Sequence, residues 1–144
     1  MSDLTDYAEN KITDALLRGQ AIGTPATWYV ALFTAAPSDA GGGTEVTGGS
    51  YARASFSASL ANWSGTQGAG TTAASSGTGG ASSNNAVISF PTPSASWGTV
   101  THFALMDAAS AGNMWIHKSL TAAKTINSGD TVRFDANTMT LTIA

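Results

Sequence analysis

Two histidines are the side chains of this sequence best suited to proton transfer near neutral pH. His102 and His117 lie on the two strands of a predicted hairpin whose loop is residues 109–112. In that register Ala104 faces His117, so the two imidazoles lie diagonally on one face, with backbones ~7–8 Å apart, within reach of a shared metal. A zinc site needs two further ligands, and Asp107 falls on the opposite face by strand parity. We therefore interpret both as ordinary strand or interface histidines and expect no metal.

Other catalytic groups are sparse. The sequence has no cysteine, and its many serines include no G-x-S-x-G nucleophile motif. Most of its nine acidic residues fall near the first predicted helix and strand or beside predicted turns, where helix solubility and turn capping explain them. We expect a protein that is not an enzyme and that has no cofactor.

Clustered glycines raise the question of phosphate binding. A phosphate-binding loop needs a lysine after its glycines and a helix beginning at the anion. Residues 41–43 lead instead into Thr-Glu-Val, where Glu45 would repel a phosphate, and residues 79–80 lead into Ala-Ser-Ser. Both clusters therefore predict turns or flexible connections that allow close backbone approach.

The composition is unusually poor in charge. Only 10% of residues are charged, whereas Ala, Gly, Ser and Thr supply 79 of 144. Such a surface costs little to desolvate, which indicates contact with other chains. A net charge of −3 with six Lys and Arg argues against nucleic-acid binding, and no apolar run is long enough to span a membrane.

One helix is predicted, over residues 3–18, within an N-terminal segment at 1–20. Ser2 is its expected cap, and Arg18 followed by Gly19 is its expected end. Its apolar stripe at helical spacing is narrow and rich in alanine, and we expect it to pack close to another surface. The stripe comprises Leu4, Ala8, Ile12, Ala15 and Leu16.

The remaining segment, 26–144, has the period-two pattern of strands. Residues 27–34 are apolar on both faces, which predicts a strand covered on both sides, whereas 51–60 alternates like a half-buried strand. Shorter strands are predicted at 86–90, 99–107, 113–120, 131–135 and 139–143. We expect a mainly β single domain over 1–144: an antiparallel β-sandwich or jelly-roll-like barrel of about seven to eight strands with one N-terminal α-helix.

A Gly/Ala/Ser/Thr-rich loop is predicted at 61–83, with Trp63 at its edge and Trp97 after a pair of prolines. Loops of this length are usually functional or mobile. Beside such a loop a tryptophan closes a core, binds a sugar or anchors a neighbouring subunit, and the sequence leaves these roles open.

Several motifs together resemble a family of tailed-bacteriophage proteins described as small tail-fibre or minor tail proteins. They are Leu-x-Asp-Tyr, Tyr-Val-Ala-Leu-Phe-Thr, Gly-Gly-Thr-Glu-Val, Gly-x-Tyr-Ala-Arg, Trp-Gly-Thr-Val-Thr-His-Phe and Asn-x-Gly-Asp-Thr, at residues 4–7, 29–34, 42–46, 49–53, 97–103 and 127–131. The resemblance covers nearly the whole chain and implies a non-enzymatic virion structural protein, made in the cytoplasm of the bacterial host.

The leading hypothesis is a homo-oligomeric tail-fibre or minor tail protein that acts through subunit–subunit attachment. A capsid decoration (cement) protein and a receptor- or glycan-binding module are the alternatives. The expected partners are further copies of the chain, as a homotrimer, and other virion proteins of tail or capsid, with a host surface glycan or receptor as a further candidate. The expected interface residues are Leu4, Tyr7, Ile12, Gly42, Gly43, Arg53, Trp63 and Trp97.

Overall fold

The computed structural model describes residues 2–143 as one helix and nine strands. The elements in chain order are α1 Asp6–Leu17, β1 Thr27–Ala35, β2 Thr44–Glu45, β3 Ala54–Ser57, β4 Ala81–Ser83, β5 Ile88–Ser89, β6 Gly98–Met106, β7 Met114–Ile126, β8 Arg133–Phe134 and β9 Thr140–Thr142. The helix is not long and apolar enough to cross a membrane.

A five-stranded antiparallel sheet forms the body of the protein. Its order is β2-β1-β6-β7, and β3 pairs with the first half of β1 while β2 pairs with the second half. The short β-bridge between Leu4 and Ile116 extends the sheet beyond β7, so the residues before the helix lie along its edge.

Two small antiparallel sheets complete the fold, β4 with β9 and β5 with β8. Ile88 of β5 and Leu141 of β9 belong to the same buried cluster as Val30 and Leu32 of β1, so both small sheets pack on one face of the main sheet. The sheets within residues 2–143 do not close into a barrel. The expected mainly β, antiparallel architecture with one N-terminal helix is confirmed.

Both faces of β1 are buried, as its sequence predicts. Val30 and Leu32 lie in the main core, whereas Ala31 and Phe33 lie in a second cluster on the opposite face, and all four are at most 3% exposed. Successive side chains of a strand point to opposite faces, so a different part of the chain must pack on each face of β1.

Several boundaries differ from those predicted. The helix begins at Asp6 because Thr5, not Ser2, caps it, and it ends at Leu17. The strand expected over residues 51–60 is limited to Ala54–Ser57. The segment expected to be a loop at 61–83 contains β4.

Hydrogen bonds between serines hold the two ends of that low-complexity segment together. The Ser64 Oγ accepts from the Ser83 N–H at 2.9 Å, and the Ser82 hydroxyl donates to the Ser64 carbonyl at 2.6 Å. The position of β4 therefore depends on polar contacts between residues that are far apart in sequence. Such contacts produce no periodic pattern of hydrophobic residues, so the sequence did not predict this strand.

Candidate interaction surfaces

The end of helix α1 is an uncovered apolar surface. Thr5 fixes the start of the helix: its hydroxyl accepts from the Ala8 N–H at 3.4 Å and donates to the Met114 carbonyl at 2.6 Å. Ala8 is the only helix residue that is buried. Leu16 and Leu17, in the last turn, are 77% and 81% exposed. Leu16, a member of the predicted apolar stripe, is therefore not covered by the described part of its own subunit.

The helix packs on the sheet through its first turn, which explains why Leu16 and Leu17 at its end remain exposed. The Tyr7 ring packs edge-on against Trp115 with centroids 5.3 Å apart, and Leu4 pairs with Ile116 of β7. The helix therefore attaches to the sheet through its beginning, while Ile12 is only half-buried. Of the expected interface residues, Leu4 and Tyr7 thus pack within the subunit, and the most exposed apolar side chains lie at the other end of the helix.

A second uncovered apolar surface is a groove of about 230 Å³ on the main-core side of the sheet. Trp28, Phe56 and Trp63 line it, together with aliphatic side chains that include Leu141 and Ile143. Ser59 and Ser82 supply the hydroxyls of the described lining. We name it the aromatic groove. Among residues 2–143 no charged side chain lines it, so it favours an apolar occupant.

Trp63 is half-buried beside Phe56, with ring centroids 5.3 Å apart. Its indole Nε1–H is buried and has no hydrogen-bond acceptor among residues 2–143. A buried donor without an acceptor is costly, and most are satisfied in folded proteins. Trp63 thus combines an apolar surface at the groove with an unused donor.

Trp97 has a different position. It is 4% exposed, its Nε1–H donates to the Gly49 carbonyl at 2.9 Å, and its ring meets Tyr51 edge-on at 5.2 Å. Both its ring and its donor are engaged inside the subunit. It therefore offers little surface to a sugar or to another chain.

Arg53 also acts within the subunit. Its side chain is 6% exposed and forms a two-point contact with Glu45, with Nε–Oε1 and Nη2–Oε2 distances of 2.8 and 2.7 Å. Its Nη1 donates to the carbonyls of Ala108 and Ala111. The hydrogen bonds to Glu45 raise the pKa of Arg53 above its ordinary value. One guanidinium thus joins β2 to the loop before β7.

Tyr51 belongs to the same network. Its hydroxyl donates to Glu45 at 3.0 Å and accepts from the backbone N–H of Leu32 at 2.9 Å. Burial raises the pKa of the Tyr51 phenol well above its ordinary value, and the neighbouring Glu45 charge adds to the effect. The phenol is therefore a neutral bridge between the acid and β1.

The glycine-rich loop, defined as residues 36–43, lies against the second face of its own sheet. The Asp39 carbonyl accepts from the Asp6 N–H at 2.9 Å, and the Asp39 carboxylate lies 2.9 Å from Nε2 of His117. Gly43 has a φ of +80°, and a Cβ there would come within 2.8 Å of Pro37 N. Gly42 and Gly43 stay exposed at the outer side of the loop. The glycines thus permit a tight return of the chain.

The two histidines lie on one face of the sheet, as their spacing predicts. Ala104 pairs with His117 and His102 pairs with Ser119, which confirms the predicted register. His102 Nδ1 lies 2.9 Å from the Thr101 hydroxyl. Burial, followed by the charge of His117, lowers the pKa of His102. Within residues 2–143 no three His, Cys, Asp or Glu side chains gather around a common point.

One structural residue gave no signal in the sequence. Asn84 is fully buried, its Nδ2 donates to the carbonyls of Ala86 and Asp135, and its Oδ1 accepts from the Met139 N–H, all at 2.9 Å. It lies within a run of small polar residues, where no pattern distinguishes it from its neighbours.

A charge-poor, mainly β domain with uncovered apolar surfaces is typical of a protein that binds other chains. Comparison with protein families agrees: the model of the family described as "Podophage GP4 fiber I protein gp80" matches residues 3–142, and the chain belongs to that family. The protein is therefore a phage tail-fibre structural protein. Comparison with curated proteins gives no match.

Proposed function

We propose that this protein is a homo-oligomeric component of the phage tail that works by subunit–subunit attachment, without catalysis, as a cyclic trimer. The observation that carries the proposal is the pair Leu16 and Leu17, 77% and 81% exposed at the end of the only helix within residues 2–143. Covering a leucine side chain stabilises a contact by ~1.5–3 kcal/mol, so these two form the strongest apolar anchor on the helix.

The arrangement of charge supports the same proposal. Four of the six basic side chains are paired with carboxylates of the same subunit: Arg18, Arg53, Lys118 and Arg133. When another chain covers these four side chains, no uncompensated positive charge is buried, which is the costliest electrostatic outcome of an interface. Other virion proteins of the tail would bind the assembled ring.

Reconstruction of the intact phage particle by electron cryomicroscopy tests this function. We expect density for this chain in the tail, as copies related by rotational symmetry that touch one another. Density on the capsid surface would favour the decoration role instead. Isolated copies without contacts to each other would contradict attachment between subunits.

A further inference from the structure

We propose that the aromatic groove of one subunit receives Leu16 and Leu17 of a second copy of the same chain. The inference rests on the proposed homo-oligomer and identifies the surfaces through which it forms. The contact joins two different surfaces, a helix end and a groove, so each subunit uses both once. Contacts of this head-to-tail kind close into rings when the rotation between subunits allows it.

The chemistry of the groove selects the occupant. Aromatic and aliphatic side chains line it, and its two serine hydroxyls leave few hydrogen bonds for a sugar, whose hydroxyls would lose their bonds to water. Leucine side chains form no hydrogen bonds with water, so a leucine pair loses none when it enters the groove. The groove of about 230 Å³ exceeds the ~150 Å³ cavity that suffices for benzene, so a branched aliphatic side chain fits.

The same chain carries the matching anchor, and it is not used within the subunit. Leu16 and Leu17 remain exposed to solvent although their own groove is also open. Next to them Arg18 pairs with Asp14 at 2.9 Å, so the charged groups at the helix end neutralise each other. Docking the helix end therefore brings no unpaired charge against the groove.

The size of the contact predicts a closed ring rather than a dimer. Burial of two leucines alone does not outweigh the loss of translational and rotational freedom when two chains associate, so an isolated dimer is unfavourable. In a ring every subunit has two such contacts, and the last one forms between surfaces already held together. We expect monomer and ring to exchange without a populated dimer.

Disulfide trapping tests the pairing directly, because the chain has no cysteine of its own. Leu17→Cys replaces part of the helix anchor, and Ala58→Cys lies in the lining of the groove. Each variant is purified full length, and the two are mixed under mild oxidation at about 10 μM. Neighbouring thiols in an assembly have an effective concentration in the millimolar range, so the mixed disulfide should form about a hundredfold faster than by random collision.

Ala123→Cys is the matched control, because it is exposed on β7 and is not in the groove lining. Mixed with Leu17→Cys it should react only at the collision rate. Equal rates for the groove and control positions would overturn the proposal. So would disulfides in phage particles that join the groove cysteine only to a different virion protein.

A second pair of variants separates this inference from the proposed function. Leu16→Ser with Leu17→Ser should abolish the oligomer in sedimentation and leave the far-UV circular dichroism unchanged. The control Val87→Ser, at a residue 51% exposed outside the groove, should keep both the oligomer and the circular dichroism of the wild type. If the double variant keeps the wild-type oligomer, the docking proposal is wrong and the homo-oligomer stands. If the wild-type chain is a monomer at every concentration, both are wrong.

Discussion

At the scale of single residues, several of the few charged side chains form ion pairs and hydrogen bonds within the subunit and so stabilise it. Arg53 is the clearest example, because its guanidinium satisfies Glu45 and two backbone carbonyls while only 6% of its side chain is exposed. Removing one member of such a pair leaves its partner without compensation. The energetic weight of each charge therefore depends on its burial.

Arg53→Met should lower the free energy of unfolding by about 3 kcal/mol, because Glu45 loses its cation and the two carbonyls lose their donor. Urea unfolding at fixed protein concentration measures this. Arg133→Ala is the control: its pair with Asp135 is more than half exposed and should contribute less than about 0.5 kcal/mol. Equal effects of the two substitutions would contradict a structural role for Arg53.

Tyr51 predicts a dependence on alkaline pH. Burial raises its pKa in the folded state above the unfolded value of 10.0, so the folded protein holds this proton more tightly. The resulting stability is complete below about pH 10 and is lost as pH rises beyond it, because the unfolded phenol ionises first. The difference in unfolding free energy between wild type and Tyr51→Phe should shrink above pH 10. A constant difference would show that the phenol titrates normally.

At the scale of elements, the glycine-rich loop and the helix have distinct tasks. The loop covers the second face of the main sheet and is tied to the helix start and to β7 through Asp39. The helix is attached at its beginning and presents apolar side chains at its end. One element thus completes the fold, and the other extends the surface that we propose for assembly.

Substitution of two neighbouring glycines of the loop distinguishes the cost of a left-handed backbone from the cost of steric crowding. Both have a φ of +80°, but a Cβ at Gly43 would lie 2.8 Å from Pro37 N and 2.9 Å from the Ala35 carbonyl oxygen, whereas Gly42 has open space. Gly42→Ala should cost about 1 kcal/mol for the left-handed backbone alone. Gly43→Ala should cost at least 1 kcal/mol more, since backbone atoms must move. Thermal or urea unfolding of both variants measures the difference, and equal costs would show that the loop is not packed as described.

The sequence predicted those parts of the fold in which hydrophobic residues recur at a regular spacing. Apolar residues on both faces of the alternating pattern predicted the burial of β1 on both sides, and the position of the hairpin loop at 109–112 predicted the pairing of Ala104 with His117. Alternation carries no information on contacts between small polar residues, so the pairing of Ala81 with Thr142 was missed. The helical stripe predicted an apolar face that includes Leu16 but not which neighbour covers it, because helical period defines a face and not how far the helix extends along its support.

At the scale of the whole molecule, the first and last described segments are hydrogen-bonded to each other. Asp3 donates its N–H to the Thr142 carbonyl at 2.8 Å, and its carboxylate accepts from the Thr142 N–H at 2.7 Å and from Lys118 Nζ at 3.0 Å. The first and last described segments thus depend on each other. We expect the chain to unfold as one domain.

Asp3→Ala should lower the free energy of unfolding by about 1–3 kcal/mol, because the Thr142 N–H loses a charged acceptor and Lys118 loses its partner. Asp14→Ala, in an exposed helical pair with Arg18, is the control and should cost about 0.5 kcal/mol or less. Circular dichroism and tryptophan fluorescence should report the same single transition for both variants. Separate transitions would contradict a single domain.

Sedimentation velocity of the purified full-length protein, over a hundredfold range of concentration, tests the central claim of self-assembly most directly. We expect a discrete closed species, with a mass three times that of the 14.5 kDa subunit, in exchange with monomer. A protein that sediments as a monomer throughout that range would contradict the claim.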